Sequence, residues 1–302
     1  MKIREVRPEK HNPEQHLTYK NAVLITFAGN FILAILKSFL AWLTGSSAIF
    51  SDAANSISDT FYSILMGLGL HLSQRPADQS HPQGHSRFEP FVSLFISSAM
   101  GFAGITAIWQ SFDRFLAGTV TTHLGLPTLV LIGAALLKIG MYRIVWRLGT
   151  RVNSPAIKAS ARDNLVDVLT TVTALAGVWG ANLIHPYFDP ALGIVIGLWI
   201  LRSAWQTATE NIGYLAGRGA SPELIENINK IALETPGVKD VHRIIADYVG
   251  PKVRVDMHIE VDGDVPLKNV HTIVELLKEK IETIPDIDLV FIHAEPYQEA
   301  ED

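Results

Sequence analysis

Six stretches of this 302-residue chain are long and apolar enough to cross a lipid bilayer, and a bilayer permits very few folds. A helix needs about 20 mostly apolar residues to span the hydrocarbon. Each backbone N–H and C=O must also find its partner without water, which leaves helices and closed barrels. The stretches run roughly Ala22 to Leu43, Ala48 to Leu72, Phe91 to Phe115, Leu126 to Leu148, Ile157 to Leu183 and Pro190 to Trp205. Between the first two lie only Thr44-Gly45-Ser46-Ser47, which forces an antiparallel hairpin. Charged residues are only 18% of the chain, and they gather after about Trp205. A polytopic α-helical membrane protein with six transmembrane helices and a soluble tail follows. Its expected parts are an N-terminal segment (1–20), a membrane domain (21–210) and a cytoplasmic domain (211–302).

Basic residues orient the bundle. Lys2, Arg4, Arg7 and Lys20 precede the first span; Arg75 and Arg87 follow the second; Arg143, Arg147, Arg151 and Lys158 flank the loop between the fourth and fifth. The opposite loops, Gly45 to Ser47, Gly118 to Gly125 and His185 to Asp189, hold no Lys or Arg. The positive-inside rule then places both termini in the cytoplasm. The opening MKIREVRPEKHNPEQH lacks the apolar core of a secretory signal and reads as a cytosolic lead-in. A net charge of -5 argues against nucleic acid as partner, and the lack of cysteine removes disulfides and thiolate metal sites.

The tail changes period. Ser221 and Pro222 make a cap and first turn for a helix from Pro222 to Leu233, and Val238 to Tyr248 reads as a strand. After a Gly250-Pro251 turn, Lys252 to Asp262 alternates apolar with polar, as a half-buried strand does. An amphipathic helix (Leu267 to Ile284) and a short strand (Leu289 to His293) complete an α-β-β-α-β order. It predicts a small α+β sandwich with helices over one face of a sheet.

Chemistry concentrates at two pairs. Asn55 with Asp59, and Asp163 with Asp167, each sit at i, i+4 inside otherwise apolar stretches. Such residues share a helix face, and a carboxylate within a membrane normally faces the bundle interior and marks an ion path. The pairs could instead tie helices together, with Lys37 and Lys138 as counter-charges. Two pairs at identical spacing favour an ion site, in which four hard oxygen donors converge. Such donors suit Mn²⁺, Mg²⁺ or Ca²⁺, with Fe²⁺ also accommodated, better than zinc, which usually draws on His or Cys. A second candidate set, Asp78, His81 and His85, lies in the loop after the second span. A third, His242, His258, His271, His293 and Glu295, is spread along the tail. Spacing alone does not bring either set together.

Three segments, SDAANSISD (51–59), HPQGHSRFEP (81–90) and FIHAEP (291–296), resemble signatures of the cation diffusion facilitator family, and the likeness extends over nearly the whole chain. The resemblance implies six spans with both termini inside, a ferredoxin-like cytoplasmic domain, and a homodimer in the bacterial plasma membrane. It also implies a transport site at Asn55, Asp59, Asp163 and Asp167, a loop metal site at Asp78, His81 and His85, and a cytoplasmic two-metal site at His242, His258, His271, His293 and Glu295. Zinc-transporting members usually carry His at one or more transport positions; the Asn-Asp-Asp-Asp set is similar to the manganese-transporting branch. The implied function is secondary active efflux of a divalent metal, Mn²⁺ first and Fe²⁺, Zn²⁺, Co²⁺ or Cd²⁺ as alternatives, in exchange for protons. The cytoplasmic sites would hold Zn²⁺ or another divalent metal. The resemblance implies a transporter and not an enzyme; the rival from another class, an intramembrane metalloenzyme, finds no H-E-x-x-H motif in the sequence. A channel, or a metal sensor without transport, is a third reading.

Overall fold

The computed structural model describes residues 13–44, 47–117, 126–183, 185, 187–285 and 287–297. The N-terminal lead, the middle of the first hairpin turn and the loop at 118–125 lie outside these. The chain forms two compact units, Met1–Ile212 and Gly213–Asp302.

The first unit holds six helices: α1 (Pro13–Thr44), α2 (Ser47–Ser73), α3 (Phe88–Ala117), α4 (Leu126–Arg151), α5 (Pro155–Leu183) and α6 (Phe188–Leu215). Each of the six apolar stretches falls within one of them. Among the described residues, α1, α3, α4 and α6 are long and apolar enough to cross a membrane. Helices α2 and α5 are just as long, 27 and 29 residues, and set Asp and Asn residues among their apolar ones. These two carry both polar pairs. The outside of the unit is greasy, with Phe61, Phe102, Trp109 and Leu129 exposed, whereas Asn30, Ser63, Ser93, Ser97 and Asn164 are buried. That inversion of the soluble pattern suits a surrounding of lipid, with polar side chains turned inward.

Local chemistry sets the α4–α5 hairpin. Asn153 takes φ 50°, the left-handed conformation that ends many helices. The Ser154 N–H then donates to the Gly149 carbonyl at 2.9 Å. Ser154 Oγ in turn accepts from the Ile157 N–H at 3.2 Å, and Pro155 opens α5 where a missing N–H costs nothing. The tight turn makes α4 and α5 antiparallel neighbours. Elsewhere α3 and α6 cross at Gly104 and Gly197, where a Cβ on either glycine would sit 3.1 Å from the carbonyl of the other. Small residues at such a crossing let backbones approach closely.

The second unit runs α7 (Pro222–Leu233), β1 (Val238–Val249), β2 (Lys252–Val261), α8 (Leu267–Glu282) and β3 (Ile287–Pro296). The sheet order is β1-β2-β3, antiparallel between β1 and β2 and parallel between β2 and β3. Ser221 caps α7 by accepting from the Leu224 N–H. Gly250, at φ 67°, starts the two-residue turn between paired Val249 and Lys252. Val253, Val255, Met257, Ile259 and Val261 of β2 are buried against Ile228 and Ala232 of α7 and Leu277 and Ile281 of α8. Both helices therefore cover one face, and the opposite face carries Arg254, Asp256, His258 and Glu260.

Two details differ from the sequence reading. Strand β3 runs from Ile287 to Pro296, longer at both ends than Leu289 to His293, because parallel pairing with β2 continues through Glu260↔Glu295 and Val261↔Pro296. In a full ferredoxin-like sheet, a further strand separates the two parallel strands of a split βαβ unit. Here β2 and β3 pair directly, and the described sheet has three strands. Upstream of α7, only an isolated bridge, Gly219↔Asp247, adds to the β1 edge.

Candidate metal sites

Asp59 lies near the middle of α2, and Asp163 and Asp167 lie in the first half of α5 on one face. Each offers a carboxylate oxygen, and the three oxygens lie within 4.8 Å of one another. Asp59 is 7% exposed. Asn55 stands one turn before Asp59 in α2, and its side chain lies outside the described residues. Asn30 of α1 fixes α2 at this level: its Nδ2 donates to Ser63 Oγ at 2.8 Å and to the Asp59 carbonyl at 3.3 Å. Ser63 Oγ donates to the same carbonyl at 2.7 Å.

Helix α4 adds a cation. Lys138, 4% exposed, donates from Nζ to Asp59 Oδ2 at 2.9 Å and to Asp167 Oδ2 at 2.6 Å. Lys138 and Asp167 lie almost equally far along the chain from the Val152–Ser154 turn. At 1.5 Å per residue both reach about 20 Å from it, which is why they meet. Beside them is a cavity of about 70 Å³ lined by Lys37, Asp59, Ala134, Lys138, Asp167, Thr170 and Thr171. Buried carboxylates need compensating charge, and here Lys138 supplies it. The sequence shows Lys138 only as a counter-charge of undetermined partner; its contact with Asp167 comes from the equal arms of the hairpin, and its contact with Asp59 from the placement of α2 beside them.

The loop between α2 and α3 forms a second cluster. Asp78, His81 and His85 also present ligand atoms within 4.8 Å of one another. The His81 N–H donates to Asp78 Oδ1 at 2.7 Å, and this bond is the main reason the Asp78 carboxyl is held below its usual range. His85 is buried under Phe88, their rings stacked at 5.8 Å. Its Nδ1 donates to the Pro76 carbonyl at 3.1 Å, leaving Nε2 as the ligand atom, 3.5 Å from Asp78 Oδ2. Such a carbonyl partner fixes the ring of a metal-binding histidine. Next to this loop, buried Glu89 accepts from Tyr19 Oη at 2.9 Å, so it ties α3 to α1.

The third cluster occupies the open face of the sheet. His258 and His293 are opposite in the β2–β3 register, as are Glu260 and Glu295. His258 Nδ1 donates to Glu295 Oε1 at 2.8 Å. That bond, with His242 and His293 nearby, keeps the Glu295 carboxyl below its usual range. His242 Nε2 lies 3.7 Å from Glu295 Oε2 and His293 Nε2 lies 3.3 Å from Glu295 Oε1. His242, His258 and Glu295 each present a ligand atom, and the three lie within 4.8 Å of one another. The bulge between Val241 and Arg243 turns His242 onto this face. Glu260, absent from the sequence-derived set, stands 3.4 Å from His242 Nδ1. In the strand alternation it is one polar residue among several, and only the register shows that it neighbours Glu295. His271 is exposed on α8, whose buried side covers the opposite face, and it does not join the described cluster.

The transmembrane domain of cation efflux proteins matches residues 23–216, and their cytoplasmic domain matches residues 220–297. An uncharacterized transporter of Methanocaldococcus jannaschii is 30% identical over 90% of this chain and 96% of its own length. Metal tolerance protein 2 of Oryza sativa subsp. japonica is 31% identical, covering 88% of this chain and 75% of its own. The manganese efflux system protein MneS of Bacillus subtilis is 28% identical over 93% of this chain and 96% of its own. A membrane unit with carboxylates at its centre, joined to a histidine-bearing sheet unit and matched by both domains in order, makes this chain a member of the cation diffusion facilitator family of metal efflux transporters.

Proposed function

We propose that this protein exports Mn²⁺ from the cytoplasm in exchange for protons. The convergence of Asp59, Asp163 and Asp167 in the middle of the membrane unit carries this reading. Their oxygens, with Asn55 as a fourth donor, form a hard ligand set without nitrogen or sulfur, which favours Mn²⁺ over Zn²⁺ by donor chemistry. Similarity to a manganese efflux protein supports the same choice. Buried carboxylates must be compensated, and a divalent ion and protons are alternative ways to do it. Metal taken up from inside would thus leave when protons arrive from outside.

All six helices span the membrane in this reading, α2 and α5 with their polar faces inward. Residues 1–20 and 211–302 lie in the cytoplasm and 21–210 form the transport domain. The working unit is a homodimer in the plasma membrane. The loop cluster and the sheet cluster, His271 and His293 included, bind cytosolic divalent metal. The test is transport in sealed vesicles containing purified protein. Mn²⁺ should accumulate faster than Zn²⁺, an imposed pH gradient should drive it, and Asp59→Ala should reduce it to the rate of empty vesicles. Transport indifferent to the gradient would defeat the exchange, and normal transport by Asp59→Ala would defeat the site.

A further inference from the structure

The transport site as folded already holds a cation of its own. Lys138 Nζ sits 2.9 Å from Asp59 Oδ2 and 2.6 Å from Asp167 Oδ2. A divalent metal binds carboxylate oxygens at roughly 2.0–2.6 Å. An ion bound to those two oxygens would therefore occupy the space of the ammonium group. The two cations exclude each other by volume as well as by charge. We propose that Lys138 is a tethered competitor of the transported metal, filling the site between cargo ions and withdrawing when metal enters. This rests on the transport-site reading above and extends it to a residue that sets affinity.

The surroundings give the ammonium somewhere to go. Thr170 Oγ1 donates to the Val166 carbonyl at 2.7 Å and Thr171 Oγ1 to the Asp167 carbonyl at 2.9 Å. Their hydrogens are committed, so their lone pairs remain to accept from a donor. Both line the 70 Å³ cavity next to Lys138. One water takes about 30 Å³ in the liquid, so the space accommodates an ammonium group. A lysine is a compact charge on a flexible four-carbon stem, suited to such a swing. Lys37 lines the same cavity and limits how far the group can retreat. Lys138 is bonded to both carboxylates.

Competition has a use. A carrier must hold its ion firmly enough to select it and loosely enough to release it. An internal cation lowers affinity without any loss of ligand oxygens, and it keeps the emptied site compensated.

The test measures Mn²⁺ binding by the full-length protein in nanodiscs. His81→Ala, His85→Ala, His242→Ala, His258→Ala, His271→Ala and His293→Ala form the background, so that the transport site is read alone. Lys138→Met and Lys138→Gln should tighten binding at least tenfold and slow turnover, whereas Lys138→Arg should stay near native affinity. A residue that merely braced the helices would weaken binding when removed. Unchanged or weaker binding by Lys138→Met and Lys138→Gln, with normal gel-filtration profiles, would overturn the proposal. If neither variant folds, a structure of the native protein with Cd²⁺ bound decides. Nζ beyond 4 Å from both Oδ2 atoms supports displacement, and Nζ still bridging them refutes it. Asp59→Ala separates the two readings. Intact binding in that variant sinks the transport site itself, whereas lost binding without tightening at Lys138 sinks only the competition.

Discussion

Asp163 and Asp59 approach the same point from different helices, and in the proposed transport role their chemistry would decide which ion is welcome there. Replacing one hard oxygen with a borderline nitrogen should shift the preference toward zinc. Asp163→His is expected to raise the ratio of Zn²⁺ to Mn²⁺ transport by about tenfold, measured by competition between the two metals in the same vesicles; an unchanged ratio would mean that the immediate ligands do not set selectivity. Asp59, Asp163 and Asp167 are legible in the sequence because helix geometry converts a spacing of four into a shared face, and because charge inside an apolar stretch stands out. Asp78 with His81 and His85 is visible only as residue types, since a loop has no period to turn spacing into direction. Glu260 escapes notice for a related reason: alternation along one strand names the polar face but not the strand that will lie beside it.

Elements are easier to read than their contacts. The start of α7 coincides with a sequence signal, Ser221 and Pro222, and β2 follows strict alternation. The far end of β3 has no such mark; its length is inherited from β2 through parallel pairing. The membrane helices announce themselves by apolar length, and α2 and α5 stand apart because each sets a polar pair into its apolar run. The crossing of α3 and α6 is invisible beforehand, since isolated glycines have many uses. At Gly197 an added Cβ would meet Ile108 Cγ1 at 2.6 Å and the Gly104 carbonyl at 3.1 Å. Gly197→Leu should therefore push the helices apart at a cost of about 1–3 kcal/mol, as overpacking does. The expected signs are a lower unfolding temperature of the purified protein and slower transport; an unaltered melting curve would mean that this contact is not under compression.

At the scale of the molecule, the chain divides into one unit built for lipid and one built for water. The second has its own core, including Val253, Met257, Ile259, Leu277 and Ile281, all fully buried. Residues 213–302 expressed alone are expected to fold and to gain stability from divalent metal at His242, His258 and Glu295. The gain should be about 2.7 kcal/mol at a metal concentration near 100 Kd, read as a rise in unfolding temperature that a chelator reverses. No metal-dependent change, or loss of the change only when His271 is replaced, would move the binding place elsewhere. In the membrane unit, the contact of Lys138 with Asp167 depends on matched arm lengths. Adding one residue to either arm of the α4–α5 hairpin would slide a side chain by 1.5 Å and swing it through about 100°. Lys138 would then point away from Asp167, though every amino acid involved in the contact remained. Substitutions in these two arms should thus be forgiven far more readily than single-residue insertions or deletions.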